Sequence, residues 1–125
     1  MKKILLLFLV AYGAFAQDVS VPSGRSLWHI SLTTLAAANA LDIHSSWGKH
    51  ELNSTLAGPH GTFGRDGALL KLTFQGGLMG VEYLVTRGHP TRKLYRTLSF
   101  INFGASAVIV GVAAHNYTVP PAPRP

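Results

Sequence analysis

The amino-acid sequence predicts an all-α fold: a membrane-embedded bundle of about three transmembrane helices after an N-terminal signal peptide. Three observations lead there. A pair of lysines opens onto an unbroken apolar run at the N-terminus. Three later segments are each long and largely apolar. Charge is also sparse, at 13% of residues against roughly 25% in ordinary soluble domains, with a mean hydropathy of +0.24.

The elements follow in order. Lys2 and Lys3 precede Ile4 to Phe15, an apolar run of about 12 residues, short of the roughly 20 that span a ~30 Å hydrocarbon core. Ala14 and Ala16 place small residues at the two positions a signal peptidase reads. Residues 1–16 therefore read as a signal peptide cleaved after Ala16, with an uncleaved anchor as the alternative, and 17–26 as a short exported linker. The first span, 27–46, is mostly apolar but carries His29, Asn39 and Asp42. A glycine-rich loop follows, with turn signals at Gly58-Pro59, Gly61, Gly64 and Asp66-Gly67. The second span, 68–86, contains Lys71, Gln75 and Glu82, and a basic connector with Pro90 leads to the third. That span, 98–115, holds no charge before its last histidine and has no polar face adequate for water. Residues 27–117 thus form one membrane domain, and 118–125 a Pro-rich tail expected to be disordered. A water-soluble helical bundle is the competing reading, since the first two spans are weak by hydropathy.

A helix advances ~100° per residue, so faces follow from positions. Lys71, Gln75 and Glu82 fall within roughly a 40° sector of the second span, with Gly76 and Gly80, in GxxxG spacing, on the opposite side. On the third span Asn102, Ser106, Ala113 and Asn116 share one face, and Gly104, Ala107 and Gly111 another. On the first, Ser31, Asn39, Asp42 and Ser46 cluster apart from Thr33, Ala36, Ala37 and Ala40. In lipid little hydrophobic force draws helices together, so small faces and interhelical hydrogen bonds must. Gly76, Gly80, Gly104 and Gly111 are accordingly expected at helix contacts, and Asn39, Asp42, Lys71, Gln75, Glu82 and Asn102 as structural intramembrane polar groups. A charge in hydrocarbon costs at least ~2.5 kcal/mol and needs a partner. In a helical hairpin Asp42 and Lys71 reach similar depth and can pair. Glu82 lies about 16 Å further along the axis, where Arg96, Asn102 and His29 are its candidate partners.

Several functions are disfavoured. The net charge of +6 comes without a Lys/Arg run interleaved with aromatics, so nucleic acid is not an expected partner. With no cysteine, disulfides, thiol catalysis and thiolate metal sites are excluded. There is no G-x-S-x-G, no H-E-x-x-H and no phosphate-binding glycine loop, so no catalytic residue, enzyme activity or cofactor is expected. Asp42, His44, His50, Glu51 and His60 crowd the end of the first span and the loop after it and are ligand types that suit zinc or another divalent ion, but their spacing matches no tight metal motif.

Residues 36–48, ending in Asp42-Ile43-His44-Ser45-Ser46-Trp47-Gly48, and then Glu51-Leu52-Asn53, resemble a family of small uncharacterised bacterial multi-spanning membrane proteins. Its pattern is an Asp-x-x-Ser helix end followed by a Glu-x-Asn loop motif. Asn102-Phe103-Gly104 and His115-Asn116-Tyr117 are similar to such proteins as well, so the resemblance covers roughly 27–117. Ser54 stands where the family has proline. The resemblance implies the fold and no activity.

The expected function is that of a structural or accessory membrane protein of the bacterial inner membrane. Its partners are the lipid bilayer and either itself or a larger membrane complex. Proton or ion handling through Asp42, Lys71 and Glu82 is the alternative, and a metal-binding module of loop histidines a second. Orientation is contested. A cleaved signal leaves Gln17 outside and, after three spans, Pro125 inside. The positive-inside rule prefers the reverse, because Arg87, Arg92, Lys93 and Arg96 crowd the second connector while the first loop offers Lys49 and Arg65.

Overall fold

The computed structural model describes residues 24–123, so the expected signal peptide and most of the linker lie outside the described residues. Three helices are present: α1, Arg25–Ser46; α2, Arg65–Gly88; and α3, Arg92–Thr118. Among the described residues there is no strand, only isolated bridges in the α1–α2 loop pairing His50 with Thr62 and Ala57 with Phe63.

Each boundary has a local cause. Gly24 opens α1 with φ 69°, in the left-handed region that glycine enters without penalty. A Cβ there would also stand 3.3 Å from the Tyr95 Cβ of α3. Behind α1, Gly48 turns the chain at φ 71°. Asp66 sits in the first turn of α2, where a carboxylate opposes the positive end of the helix dipole. At Gly67 a Cβ would lie 2.5 Å from the Leu56 carbonyl oxygen and 2.8 Å from the Phe63 ring, so the loop seals against the start of α2 only over a glycine. α2 stops before His89-Pro90, where proline disfavours helical backbone in the residue ahead of it. Thr91 then caps α3, its hydroxyl oxygen accepting from the Leu94 amide at 3.2 Å. The helices outrun the apolar cores at 27–46, 68–86 and 98–115. Arg65, Arg87, Arg92, Lys93 and Arg96 continue helices whose hydrophobic stretches are shorter.

α1 and α3 pack along their length, whereas α2 touches them at few points. The α1–α3 seam is built from small and polar residues. Ser31, Ala38, Asp42 and Ser45 of α1 face Ser99, Asn102, Ser106 and Ala113 of α3, with Trp28, Leu35 and Tyr95 the larger buried members. The buried serines cost little, because each donates its hydroxyl to a carbonyl of its own helix: Ser31 to Trp28, Ser45 to Asp42, Ser99 to Tyr95 and Ser106 to Asn102. Large apolar residues lie on the outside, including Leu72, Phe74, Leu78 and Leu84 of α2 and Phe100, Ile101 and Val108 of α3.

One expectation is corrected. Gly76, Gly80, Gly104 and Gly111 do not form helix contacts within the chain, since a Cβ built on any of them meets no atom within 4 Å. The polar faces turn inward, as the expected interhelical bonds require, and the glycine stripes do not. Turning a glycine stripe inward satisfies no hydrogen bond, whereas leaving Asp42, Lys71, Glu82 and Asn102 outside forfeits several. The helices are also unequal. Among the described residues only α3 is long and apolar enough to cross a membrane, and α1 and α2 do not meet that measure. Residue 118 closes α3, and beyond it the Ala122 amide donates to the Gly48 carbonyl at 3.2 Å.

Candidate functional site

Two polar junctions fasten α2 to the α1–α3 pair, and a cleft opens beside one of them. The first junction joins Lys71 to Asp42, with Nζ 2.5 Å from Oδ2. Helical periodicity places the two at matching depth, one turn from the end of α1 and the second turn of α2. The Lys71 ammonium also lies 4.9 Å from the centroid of the Phe63 ring, a cation–π contact supplied by the loop. Phe63 is 1% exposed and is held edge-on by Trp47. Asp42 Oδ1 is buried with no hydrogen-bond partner, alone in this respect among the described side chains.

The second junction gathers all three helices. Glu82 Oε2 of α2 accepts from the Trp28 indole Nε1 of α1 at 2.8 Å and from the Asn102 amide of α3 at 3.0 Å. The same amide donates to Ser31 Oγ at 3.1 Å, so Asn102 ties Glu82 to α1 as well. Asn102 was among the expected partners of Glu82. The other two do not bond it: the His29 ring lies tilted against Trp28 at 4.8 Å between centroids, and Arg96 is exposed. Trp28 went unforeseen, although a buried indole N–H requires an acceptor and Glu82 is the carboxylate at that depth. Between the junctions Gln75 is buried, and its amide makes a long contact of 3.8 Å with Met79 Sδ. Asn39 is half-buried and bonds only the Leu35 carbonyl of its own helix.

The cleft, of about 490 Å³, lies between the α1–α2 loop and the end of α3. Asp42, Lys71, Lys49, His50, Glu51 and His115 are among the residues lining it. The loop is tied to α3 here. Lys49 donates to the Asn116 carbonyl, the Asn116 amide donates to Ser46 Oγ at 2.9 Å, and His44 Nδ1 lies 2.7 Å from the Tyr117 hydroxyl. Two of the candidate metal ligands have partners within the protein. His44 is engaged with α3, and Glu51 Oε1 accepts from the Asn53 amide. Among the described residues no three metal-ligating side chains converge. The chemistry of the region is that of paired, hydrogen-bonded groups that fix one element against another. Comparison with models of known families, with curated proteins and with solved structures finds no match.

Proposed function

We propose that the protein is a small multi-spanning protein of the bacterial inner membrane, exported by its N-terminal signal. Its role is structural or accessory rather than catalytic, alone, as a homo-oligomer or within a larger membrane complex. The observation that carries this reading is the inversion of the bundle, with polar and small residues at the helix seam and Phe74, Phe100 and Val108 on the outside at 69%, 71% and 68% exposure. Water would invert that preference, whereas lipid accepts it. Part of the weak hydropathy of α1 and α2 fits this arrangement, because Ser31, Asp42, Ser45 and Ser46 of α1 and Gln75 and Thr86 of α2 are buried, while His29, His44, Arg65 and Arg87 are exposed nearer the helix ends. Proton or ion handling by Asp42, Lys71 and Glu82 is less well supported. The two junctions are about 16 Å apart along α2, and Gln75 and Met79 between them contact each other.

A cysteine scan tests the reading cleanly, because the chain has no cysteine of its own. Phe74→Cys, Phe100→Cys and Val108→Cys should resist a water-soluble, membrane-impermeant maleimide in membranes and react once detergent is added. The control, His60→Cys in the exposed loop, should react in vesicles of one orientation. Immediate labelling of all three buried-in-lipid positions in intact membranes would reject the membrane reading and leave a water-exposed bundle.

A further inference from the structure

The outward face of α3 has a chemical gradient along it. Lys93, Thr97, Phe100, Gly104, Ala107 and Gly111 follow one another at intervals of four and three residues, which puts them on one stripe of the helix. All are exposed, on the side opposite the buried Tyr95, Ser99, Asn102, Ser106 and Ala113. At its N-terminal end the stripe enters a cleft of about 540 Å³ lined by Arg92, Lys93, Arg96, Thr97 and Phe100. No carboxylate is among those residues, so three cations face a single space without a counter-charge in its wall. Beyond Phe100 the stripe is smooth and open, since a Cβ at Gly104 or Gly111 would meet no atom within 4 Å outside its own helix backbone.

We propose that this face binds one anionic phospholipid, its phosphate held by Arg92, Lys93 and Arg96 and one acyl chain laid along Gly104, Ala107 and Gly111. The assignment rests on the membrane reading above. Charge complementarity selects the headgroup: a phosphodiester offers two oxygens to a guanidinium fork, and Thr97 adds a hydroxyl donor beside it. Dimensions select a lipid over a free anion. Phe100 to Gly111 spans about 16 Å along the helix axis, close to one leaflet of a ~30 Å hydrocarbon core. Phe100 stands at the step from headgroup to chain. The glycines that contact nothing within the protein acquire a use, because a side chain at either would obstruct the acyl chain.

The test uses the full chain in detergent micelles and in nanodiscs, with lipid retention read by native mass spectrometry. Phosphatidylglycerol should be retained over phosphatidylcholine by on the order of tenfold or more, and the preference should weaken as salt is raised. The triple change Arg92→Gln, Lys93→Gln, Arg96→Gln should bring that preference to within about twofold, whereas Arg87→Gln, outside the cleft, should leave it intact. Gly104→Trp fills open space and is compatible with the fold, so it should reduce retention of phosphatidylglycerol by obstructing the chain. Equal retention of the two lipids, or a preference that survives the triple change, would overturn the proposal. So would competition by glycerophosphoglycerol as effective as by the intact lipid, which would mean a site for a free anion. A cysteine crosslink at Gly104→Cys joining two copies in place of bound lipid would assign the face to self-association instead. Failure of the cysteine scan removes the membrane reading itself. A protein that passes that scan and shows no lipid preference loses only the lipid site.

Discussion

Replacing Asp42 by Asn removes the charge from the first junction while keeping the shape of the side chain. The Lys71 ammonium, on a side chain that is 22% exposed, then sits against a neutral amide, with the Phe63 ring as its remaining electrostatic contact. Removing one member of a fully buried ion pair costs roughly 3–5 kcal/mol, and an exposed pair contributes about 0–1 kcal/mol. With side chains 22% and 10% exposed, the Lys71–Asp42 pair falls between these limits, so a loss of about 2 kcal/mol is expected for Asp42→Asn. Lys71→Met should cost a similar amount, because it leaves a carboxylate whose Oδ1 already lacks a partner. The double variant should lose only about 1 kcal/mol, since neither charge is then stranded. Reversible unfolding in mixed detergent and sodium dodecyl sulfate, followed by tryptophan fluorescence, gives the four free energies of the cycle. A coupling above roughly 1 kcal/mol supports the pair. Losses that add within about 0.5 kcal/mol would refute the argument that the two charges are each other's compensation.

Glu82→Leu should free two donors, the Trp28 indole and the Asn102 amide, and cost about 1–3 kcal/mol in the same assay; Trp28→Phe should cost less, because Glu82 keeps Asn102. Gly67→Ala should destabilise more than Gly80→Leu despite the smaller side chain, since its Cβ would meet the Leu56 carbonyl at 2.5 Å and Gly80 faces open space; the reverse order of melting temperatures would discredit the packing described for both. For orientation, a phosphatase fused after Pro125 should be inactive and a fluorescent protein at the same place should fluoresce, as three crossings after a cleaved signal require. An active phosphatase would show that the basic connector obeys the positive-inside rule or that one helix does not cross.

Much of the helical layout was legible because its signals are local. The three apolar stretches located the helices, while Gly58-Pro59, Gly61, Gly64 and Pro90 marked the breaks. The Lys71–Asp42 pair followed from two numbers, the position of each charge relative to the loop, and needed no knowledge of helix rotation beyond periodicity. The boundaries were less legible, since hydropathy ends at Ala68 and Leu98 whereas the backbone stays helical from Arg65 and from Arg92. Trp28 and Phe63 were missed for different reasons. Trp28 sits in the first turn of α1, outside the polar cluster used to define its face. Phe63 is a loop residue whose burial depends on Gly67 letting the chain close over it.

The two kinds of face were identified correctly on each helix, but which kind turns inward could not be obtained from periodicity, because a polar stripe and a small stripe opposite it have the same period. The choice requires comparing energies. A glycine stripe turned inward gains dispersion contacts at about 0.1–0.2 kcal/mol per atom pair, whereas, in the proposed membrane setting, a charge such as Lys71 or Glu82 left without a partner costs at least ~2.5 kcal/mol. Two charges, a carboxylate of Asp42 that pairs with one of them, and an amide at Asn102 that serves both Glu82 and Ser31 therefore outweigh four glycines. Under the proposed membrane reading the same comparison explains why α2 is attached so sparingly. Its inward stripe has met its needs once Lys71 pairs with Asp42 and Glu82 accepts from Trp28 and Asn102, and the rest of the helix, with Leu72, Phe74, Leu78 and Leu84 outward, would gain nothing from the other two helices that lipid would not offer equally.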